Sequence, residues 1–397
     1  MTEEIQSFFF CYILFVYKDK VMQIIDNVQL DFSDVLIRPR RSTLASRKDV
    51  DITREYKFKW CPKVIRGTGI MQANMGTIGN FAVSKKMLEN GLFACLHKHH
   101  DIDSLIDFYK KLLTYDDDRW MRCLLSIGLK DNGVEKLERI YKELGIQVGI
   151  KLDVPNGYIP QVKEMVVKLR NQFPEMLIMV GNVVTGDISE DLILSGADIV
   201  AEGIGSGGQC ITRKQTGVGR PQFSTIVETA DAVHQVGGLI CSDGGITCAG
   251  DVGKAFGAGA DFIMIGGLFA GTDEADGDII EKYYNTGELN RTDNGDSYIY
   301  SPVIETRKYK LFYGMSSTLA QEKFGNGKPK YRASEGRVTQ VPYVGSVNDV
   351  VEELLGGLRS TMTYIGARRL KDIPKQCIFY RVNNQLNKMF ENNTIGK

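Results

Sequence analysis

Residues 197–222 read ADIVAEGIGSGGQCITRKQTGVGRPQ, and this stretch decides which α/β fold the chain adopts. The glycines at 203, 205 and 208 have the G-x-G-x-x-G spacing of a dinucleotide-binding turn, which needs a strand before it and a helix directly after it. The apolar segment 197–202 supplies the strand, but two more glycines and Pro221 follow the loop. We therefore expect no helix directly after this loop, which excludes a Rossmann turn.

Apolar runs of this kind recur along the chain, and a longer amphipathic stretch follows most of them. Continuous apolar runs separated by helix-length segments are typical of parallel strands joined by crossover helices. Eight such strands predict an α/β fold of the (β/α)8 TIM-barrel class. The predicted strands span residues 64–74, 91–99, 120–128, 148–156, 176–182, 197–205, 238–245 and 261–267. Apolar residues at helical spacing predict helices over residues 80–90, 133–144, 159–173, 188–196, 222–236 and 347–367.

The other segments set the predicted domain boundaries. Residues 8–17 are apolar but too few to span a bilayer, and no signal-peptide cleavage site follows them. We predict that residues 1–21 are an extension outside the main fold, with Met22 as an alternative start, and that residues 22–397 form a single domain. After the eighth strand we expect a polar insertion at about 281–305, as a loop, and a mobile flap at about 317–340.

The composition narrows the class of protein. Of the 397 residues, 43% are hydrophobic and 25% are charged, and the formal net charge is zero. This is an ordinary globular composition with no basic excess for nucleic acid, and we predict neither a nucleic-acid nor a membrane partner. The eight cysteines include no C-x-x-C pair, which indicates reduced thiols and predicts a cytoplasmic protein.

Polar residues and glycine pairs follow the predicted strands, at the end of a barrel where active sites lie. The polar residues are Asn74, Lys98, Asp153, Asn156, Asn182, Cys210 and Asp243. The pairs Gly244–Gly245 and Gly266–Gly267 follow the last two strands, where such barrels often bind phosphate through backbone N–H groups. Glycines at these positions also make ordinary tight turns, so the phosphate interpretation is one of two.

Cys210 is the candidate nucleophile. A lone cysteine is often only a small buried hydrophobic residue. Cys210, however, follows a loop rich in backbone amides and precedes Arg213 and Lys214, and positive surroundings favour the reactive thiolate. A nucleophile also needs a proton-transfer partner, and Thr212 and Glu335 are the candidates for that role.

Eight blocks of the chain resemble a known family. They are DFSDVLIRPRRSTLASR (31–47), GNVVTG (181–186), GIGSGGQCITRKQTGVG (203–219), SDGG (242–245), FGAGADFIMIGG (256–267), YGMSS (313–317), YRASEG (331–336) and GGLRSTMTYIGA (356–367). They resemble the GMP reductases of the IMP dehydrogenase/GMP reductase superfamily, from about Met22 to Arg381. TRKQTGVG, YRASEG and the short HKHHDIDSL connection look like the reductase branch.

The resemblance implies a TIM barrel, usually a homotetramer, that reduces GMP to IMP and ammonia with NADPH. It implies that the Cys210 thiolate attacks purine C2 to form a covalent thioimidate, and that Thr212 and Glu335 move protons to and from ammonia. It further implies that Asp243 accepts the ribose hydroxyls. The other substrate-binding residues that it implies are Gly244, Gly245, Gly266, Gly267, Gly314, Met315, Ser316, Arg332, Ala333, Ser334 and Gly336.

A cofactor site and a monovalent cation site are also implied by the resemblance. Lys98 and Arg47 suit a 2′-phosphate by charge, Asp153 matches a nicotinamide-side position, and Ser360 and Thr361 match positions donated by a neighbouring subunit. The implied NADPH-binding residues are Ser46, Arg47, Lys98, Asp153, Ile204, Gly205, Ser360 and Thr361. The implied K⁺ site comprises Gly205, Gly207, Cys210 and Arg213.

Two alternative functions stay open on the sequence. IMP dehydrogenases normally carry a regulatory domain after the second strand, whereas HKHH (97–100) runs straight into DIDSLIDFYKKLL here. A purine-nucleotide sensor on the same barrel would need no Cys210, Thr212 and Glu335 set. The chain itself departs from the family at Gly76, where Asp is common, and at 281–305, which has no recognised counterpart.

Overall fold

The computed structural model describes residues 24–130, 132–293, 298–325 and 333–383, and its centre is a closed barrel. Eight parallel strands pair in chain order, and the last pairs with the first, with Ile263 opposite Ile70. Two short strands, β1 (Val35–Ile37) and β2 (Arg54–Lys57), precede the barrel. The barrel strands are β3 (Val64–Gln72), β4 (Leu92–Leu96), β5 (Cys123–Ile127), β6 (Gly149–Asp153), β7 (Ile178–Val183), β8 (Ile199–Glu202), β9 (Leu239–Asp243) and β10 (Phe262–Ile265). The predicted (β/α)8 TIM barrel is confirmed.

Three sequence predictions fall outside the described residues. They concern the N-terminal extension (1–21), the alternative start Met22 and the substrate-binding candidate Arg332. In the part of the chain that the structure describes, no helix is long and apolar enough to cross a membrane.

The barrel strands are apolar on both faces, as parallel strands covered by helices must be. All five residues of β4 and all five of β5 are buried. At the N-terminal end of the barrel, β2 pairs antiparallel with the start of β3 and brings Tyr56 into the core. Its ring stacks on Phe262 with centroids 4.4 Å apart and meets Phe93 edge-on at 5.6 Å. Large rings therefore fill this end, and polar side chains gather at the other.

Helices alternate with the barrel strands and cover the outside of the barrel. All six predicted helices are present, with ends within two residues of the predicted bounds. The helices are α1 (Phe81–Glu89), α2 (Ile102–Leu113), α3 (Gly133–Leu144), α4 (Pro160–Gln172), α5 (Gly186–Leu194), α6 (Thr212–Thr216), α7 (Gln222–Gln235), α8 (Ala249–Ala258), α9 (Thr318–Phe324), α10 (Val347–Ile365) and α11 (Ile373–Gln376).

Five of these helices were not predicted, and two of them, α6 and α8, lie next to predicted barrel strands. The expectation of no helix directly after the glycine loop is wrong, because α6 begins at Thr212, although Gly217 ends it after five residues with φ +73°. Helix α8 was not predicted because AGDVGKAFGA is mostly small residues with little apolar periodicity. Neither helix changes the barrel, and α6 positions a functional side chain.

The polar segment after β10 is not a loop, as predicted, but a long hairpin. Strands β11 (Ile279–Asp293) and β12 (Tyr298–Tyr313) pair antiparallel, with a register shift between Asn285 and Leu289. The polar composition follows from exposure of both faces, while tyrosines and cations pair across the strands; Arg291 lies over the Tyr298 ring at 3.4 Å. These cross-strand side-chain pairs thus favour strand formation, although the segment is polar.

The predicted flap region (317–340) lies next to this hairpin and contains defined structure. Helix α9 begins it, and β13 (Val338–Pro342) pairs with β12, with Gln340 opposite Leu311. Residues 326–332 lie outside the described part of the chain. Near the C-terminus, β14 (Phe379–Arg381) pairs antiparallel with β1, so the C-terminal segment packs against the N-terminal one.

Candidate active site

The candidate nucleophile lies in the loop between β8 and α6, at the C-terminal end of the barrel. Cys210 Sγ donates to Thr212 Oγ1 at 3.1 Å, and the Thr212 hydroxyl donates to Glu335 Oε2 at 2.7 Å. All three side chains are half-buried. A thiol, a hydroxyl and a carboxylate in this order form a line along which a proton can leave the sulfur. The structure thus brings the three predicted catalytic residues together.

Thr212 and Glu335 come from distant parts of the chain, and a short antiparallel ladder joins them. Ile211 N donates to Glu335 O at 2.8 Å, and Arg337 N donates to Gln209 O at 3.0 Å. The ladder sets the two segments in register, so the hydroxyl and the carboxylate meet without a long flexible reach.

Glycines are required where this ladder and the loop pack most closely. Gly205 has φ +75°, and a Cβ there would lie 2.5 Å from Arg213 Cγ. Gly336 is buried, and a Cβ there would lie 2.7 Å from Ser317 N. A larger residue at Gly205 would be strained at this φ and would press on the Arg213 side chain, and one at Gly336 would displace the 314–317 segment that packs beside Glu335.

A second polar cluster surrounds Lys151 of β6. The Lys151 side chain is 1% exposed, and its Nζ donates to Asn74 Oδ1 at 3.0 Å and to Asp243 Oδ2 at 2.9 Å. Asp153 Oδ1 lies 3.2 Å from the same nitrogen. Asn182 Nδ2 donates to Asp243 Oδ2 at 2.9 Å. Five residues from the C-terminal ends of the barrel strands therefore share one network.

Opposite charges keep Lys151 and Asp153 ionised. Burial alone would lower the pKa of Lys151, but the charges of Asp243 and then Asp153 outweigh it and hold the pKa well above its usual value. Burial alone would raise the pKa of Asp153, but Lys151 and then Lys98 outweigh it and hold that pKa below its usual value. The sequence analysis missed Lys151; the only signal was a lysine inside the otherwise apolar run GIKLD (149–153).

The four predicted phosphate-binding glycines lie after two neighbouring barrel strands. Gly244 and Gly245 follow β9 with φ of +100° and +82°. Gly266 follows β10, immediately before the short 3-10 helix Gly267–Phe269. Because β9 and β10 are paired, both glycine turns lie at adjacent strand ends, where a phosphate can meet backbone N–H groups.

The other predicted substrate-binding residues flank the Cys210 loop. Gly314 N donates to Arg337 O at 3.0 Å. The Ser334 hydroxyl lies 3.2 Å from Ser316 O, and Gly76 N donates to Met315 Sδ at 3.0 Å. Ala333, at the start of the same segment, is exposed. Except for Arg332, the predicted set therefore surrounds the mouth of the barrel.

Helix α9 covers part of this mouth, which the sequence analysis did not predict. The Phe324 ring stacks on His99 with centroids 4.3 Å apart. His97 and His100 stack on each other at 3.8 Å just below. A Cβ on Gly76 would lie 2.7 Å from the Phe324 ring, so the glycine that departs from the family pattern makes room for this aromatic contact.

The predicted cofactor-binding residues lie in three places. Lys98 and Asp153 lie in the Lys151 region, and Ile204 and Gly205 lie in the Cys210 loop. The remaining four lie on α10 or on the turn against it; they are Ser46, Arg47, Ser360 and Thr361. Within the described ranges, no hydrogen bond or ion pair links these four to Cys210, Thr212 or Glu335. Ser360 and Thr361 instead donate to carbonyls within α10.

The sequence is similar to those of known proteins over most of its length. A family model described as "IMP dehydrogenase / GMP reductase domain" matches residues 29–389. The chain is 44% identical to GMP reductase 2 of Mus musculus over 93% of this chain and 99% of that protein. It is 45% identical to the GMP reductase of Onchocerca volvulus over 91% and 93%, and 42% identical to that of Aliivibrio salmonicida (strain LFI1238) over 95% and 100%. The chain therefore belongs to the IMP dehydrogenase / GMP reductase family.

Proposed function

We propose that this protein is a GMP reductase, an oxidoreductase of purine metabolism that converts GMP to IMP and ammonia. The observation that carries the proposal is the Cys210–Thr212–Glu335 line at the mouth of the barrel. A binding protein would need neither a thiol nor a carboxylate aligned through a hydroxyl, whereas displacement of an amino group needs a nucleophile and a proton source.

The proposed chemistry has two steps. The Cys210 thiolate attacks C2 of the purine, and the bond from C2 to the amino nitrogen breaks. Thr212 and Glu335 deliver the protons with which ammonia leaves, and a thioimidate joins C2 to the sulfur. When bound, NADPH supplies the hydride that C2 gains. The bond from carbon to sulfur then breaks, IMP departs and the Cys210 thiolate is restored.

The nucleotide is proposed to lie across the strand ends. Asp243 accepts the ribose hydroxyls, since the hydrogen bonds of its carboxylate go to Oδ2 and leave Oδ1 without a partner among the described residues. Gly244, Gly245, Gly266 and Gly267 receive the phosphate. The residues after β12 and around Glu335 close over the base; they are Gly314, Met315, Ser316, Arg332, Ala333, Ser334 and Gly336.

Family membership implies a nicotinamide cofactor, and NADPH is our specific proposal. Asp153 suits its nicotinamide end, beside Ile204 and Gly205, because it lies in the charged network at the strand ends. The positive charge of Lys98 suits a phosphate of the cofactor. Ser360 and Thr361 are proposed to serve a cofactor bound by a neighbouring subunit of a homotetramer. Ser46 and Arg47, at the turn that packs against α10, are proposed to bind the 2′-phosphate end of the cofactor. Arg47 is exposed and free to meet a phosphate.

A monovalent cation, K⁺, is proposed to hold the Cys210 loop. Potassium favours uncharged carbonyl oxygens, and the loop contains several such groups at Gly205, Gly207 and Cys210. Gly207 O already accepts the Cys210 amide at 2.9 Å, which leaves one lone pair for an ion. The backbone carbonyl of Arg213, in α6, completes the proposed set. All seven described cysteines are free thiols, in keeping with the proposed cytoplasmic location.

The test is a pair of assays on the purified protein in potassium buffer. We expect GMP with NADPH to yield IMP, identified by chromatography, and IMP with NAD to yield no NADH. NADH formation from IMP would identify an IMP dehydrogenase instead. Tight GMP binding without turnover in either assay would identify a nucleotide sensor. NADH in place of NADPH measures the proposed cofactor preference.

A further inference from the structure

Lys151 has no role in the proposed chemistry, yet it is one of the largest fully buried side chains of the molecule. Burying an ammonium group is unfavourable unless acceptors surround it. Lys151 Nζ has three oxygen partners within 3.2 Å, and the sulfur of Met264 lies 3.4 Å away. A site built so completely around one cation indicates a role beyond filling space.

The partners of Lys151 connect the two ligand sites of the proposed reaction. Asp243 is the proposed ribose-binding carboxylate, and Asp153 lies on the proposed nicotinamide side. Both carboxylates approach one nitrogen, at 2.9 and 3.2 Å, so the contacting oxygens are at most about 6 Å apart. Two carboxylates this close would repel each other if no cation lay between them.

Lys151 also determines which oxygen of Asp243 is free. Lys151 and Asn182 both donate to Oδ2, at 2.9 Å each. This arrangement leaves Oδ1 as the acceptor for a ribose hydroxyl. The carboxylate is therefore held in one rotamer before the substrate arrives, which reduces the ordering that binding requires.

We propose that Lys151 is a positioning residue that holds the carboxylates of Asp243 and Asp153 close together and correctly oriented between the nucleotide and cofactor sites. The inference rests on the proposed function for the identity of the nucleotide. Lys151 touches neither substrate nor reacting atoms; it acts through the two carboxylates. Its loss should weaken GMP binding in a manner that depends on pH.

The remaining titratable groups around this network do not supply the same charge. Lys98 is the other cation that lowers the pKa of Asp153, but it lies after β4 and its effect is smaller than that of Lys151. The buried thiols of Cys95 and Cys241 also face the network; burial raises the pKa of Cys95 to about 12 and raises that of Cys241, so both stay neutral. Within the described ranges, Lys151 is the ammonium that contacts both carboxylates.

The test measures GMP affinity by calorimetry from about pH 6 to about pH 9. We expect the wild type to show a shallow profile that follows the GMP phosphate, whose second pKa is about 6. In Lys151→Met, one carboxylate of the pair should take up a proton at higher pH, so affinity at the acid end should fall by about tenfold or more and recover at the alkaline end. Adding Asp153→Asn removes the repulsion, and Lys151→Met/Asp153→Asn should regain much of the lost affinity at the acid end.

Two further variants separate this role from a structural one. Lys310 is equally buried, but its ammonium donates to the carbonyls of Thr272 and Ala275 instead of to carboxylates. Lys310→Met should lose thermal stability and keep the wild-type pH profile. Lys151→Arg keeps the charge and should keep the wild-type pH profile even if its affinity falls. If Lys151→Met alone does not fold, the arginine and double variants still decide the question.

The outcomes are distinct. Wild-type affinity in Lys151→Met at every pH would overturn the inference while leaving the proposed function intact. An equal loss at every pH, unrelieved by Asp153→Asn, would reduce Lys151 to a structural residue. A wild-type protein with no GMP affinity would overturn both the inference and the proposed function.

Discussion

Cys210 differs from the other described cysteines by its neighbours. Burial raises the pKa of Cys95, Cys123 and Cys241, which keeps those thiols neutral and inert. Cys210 is half-buried, beside a hydroxyl that leads to a carboxylate. Reactivity is thus a property of the loop and the segment that crosses it.

Replacing Cys210 by alanine should abolish turnover and leave GMP binding intact. The thiol is the atom that bonds to C2, while the proposed affinity comes from the phosphate and ribose contacts. We expect kcat to fall by a factor of about 10³ or more and calorimetric GMP affinity to stay close to that of the wild type. Cys377→Ala is the control, since burial raises the pKa of that thiol to about 12. Substantial turnover in Cys210→Ala would refute covalent catalysis.

Glu335→Gln should reduce the rate far more than the GMP affinity. The amide still accepts the Thr212 hydrogen bond but cannot take up or release a proton, so kcat should fall by about 10² to 10⁴. Stopped-flow rates and calorimetric affinities separate the two effects. Glu322→Gln removes the same charge from an exposed position of α9 and should be nearly silent. Equal losses of rate and affinity in Glu335→Gln would make Glu335 a binding residue only.

At the residue scale, the catalytic residues that belong to motifs were predictable from the sequence, whereas a role that depends on burial was not. Cys210, Thr212 and Glu335 stand in recognisable blocks, and the structure brings them within hydrogen-bonding distance. Lys151 lies within the apolar run of a predicted strand, where a lysine only interrupts the apolar pattern. Only the barrel geometry shows that Asp243 and Asn74, from other strands, converge on its ammonium.

At the scale of elements, α9 and the loop after β3 form one contact through Phe324 and Gly76. Gly76→Ala should displace Phe324 and lower kcat/KM, because the added Cβ would lie 2.7 Å from the ring. Phe324→Ala should relieve that clash, so the double variant should be less impaired than the two single effects combined, with a coupling of about 1 kcal/mol. A double-mutant cycle in kcat/KM measures it. Strict additivity would mean that the contact has no effect on catalysis.

The distal hairpin should be dispensable for chemistry. Among the described elements, β11 packs mainly against β12, and both faces of the distal part are exposed. We expect that replacing residues 286–303 by an Asn-Gly turn between the paired Asn285 and Ile304 leaves kcat within about twofold of the wild type. Steady-state kinetics and a melting curve test this. A large loss of kcat with an unchanged melting curve would place the hairpin in the active site.

The elements differ in how well the sequence predicted them. Barrel strands were predicted because burial on both faces leaves an unbroken apolar run, as in β4 and β5. The hairpin was taken for a loop because its strands are exposed on both faces and carry no such run. Short α6 was missed because five residues show no period, and its start depends on the ladder that draws Glu335 to Thr212.

At the scale of the whole molecule, stability should fall in mild acid because folding lowers the pKa of His97 and of His100. Burial, then the charges of His100 and His99, lower the pKa of His97 to about 3, and burial lowers that of His100. The unfolded chain binds these protons near pH 6.5. Stability is therefore full above about pH 6.5 and falls below it, by up to about 1.4 kcal/mol per pH unit for His97.

Denaturant unfolding at several pH values tests this. His97→Gln should lose less stability than the wild type between about pH 6.5 and about pH 5. His234 is the matched control of opposite sign, because its hydrogen bond to Asp261 raises its pKa. The contribution of His234 is present below its unfolded pKa and disappears as pH rises through the raised value. Identical acid slopes for the wild type and His97→Gln would contradict the account.

The closure of the barrel was predictable because eight similar units leave few alternatives. The role of Ser360 and Thr361 on α10 was not predictable from the packing of one chain. Their hydroxyls donate to Gly356 O and Gly357 O within α10, so nothing in their own chain marks them as functional. Their role belongs to the proposed assembly.

The most direct test of the central claim is the stoichiometry of the reaction of GMP with NADPH in potassium buffer. Reductive deamination through Cys210 predicts that one IMP and one ammonia form for each NADPH consumed. In Cys210→Ala, neither product should form and no NADPH should be consumed. NADPH consumed without ammonia, or turnover that persists at full rate in Cys210→Ala, would contradict the account.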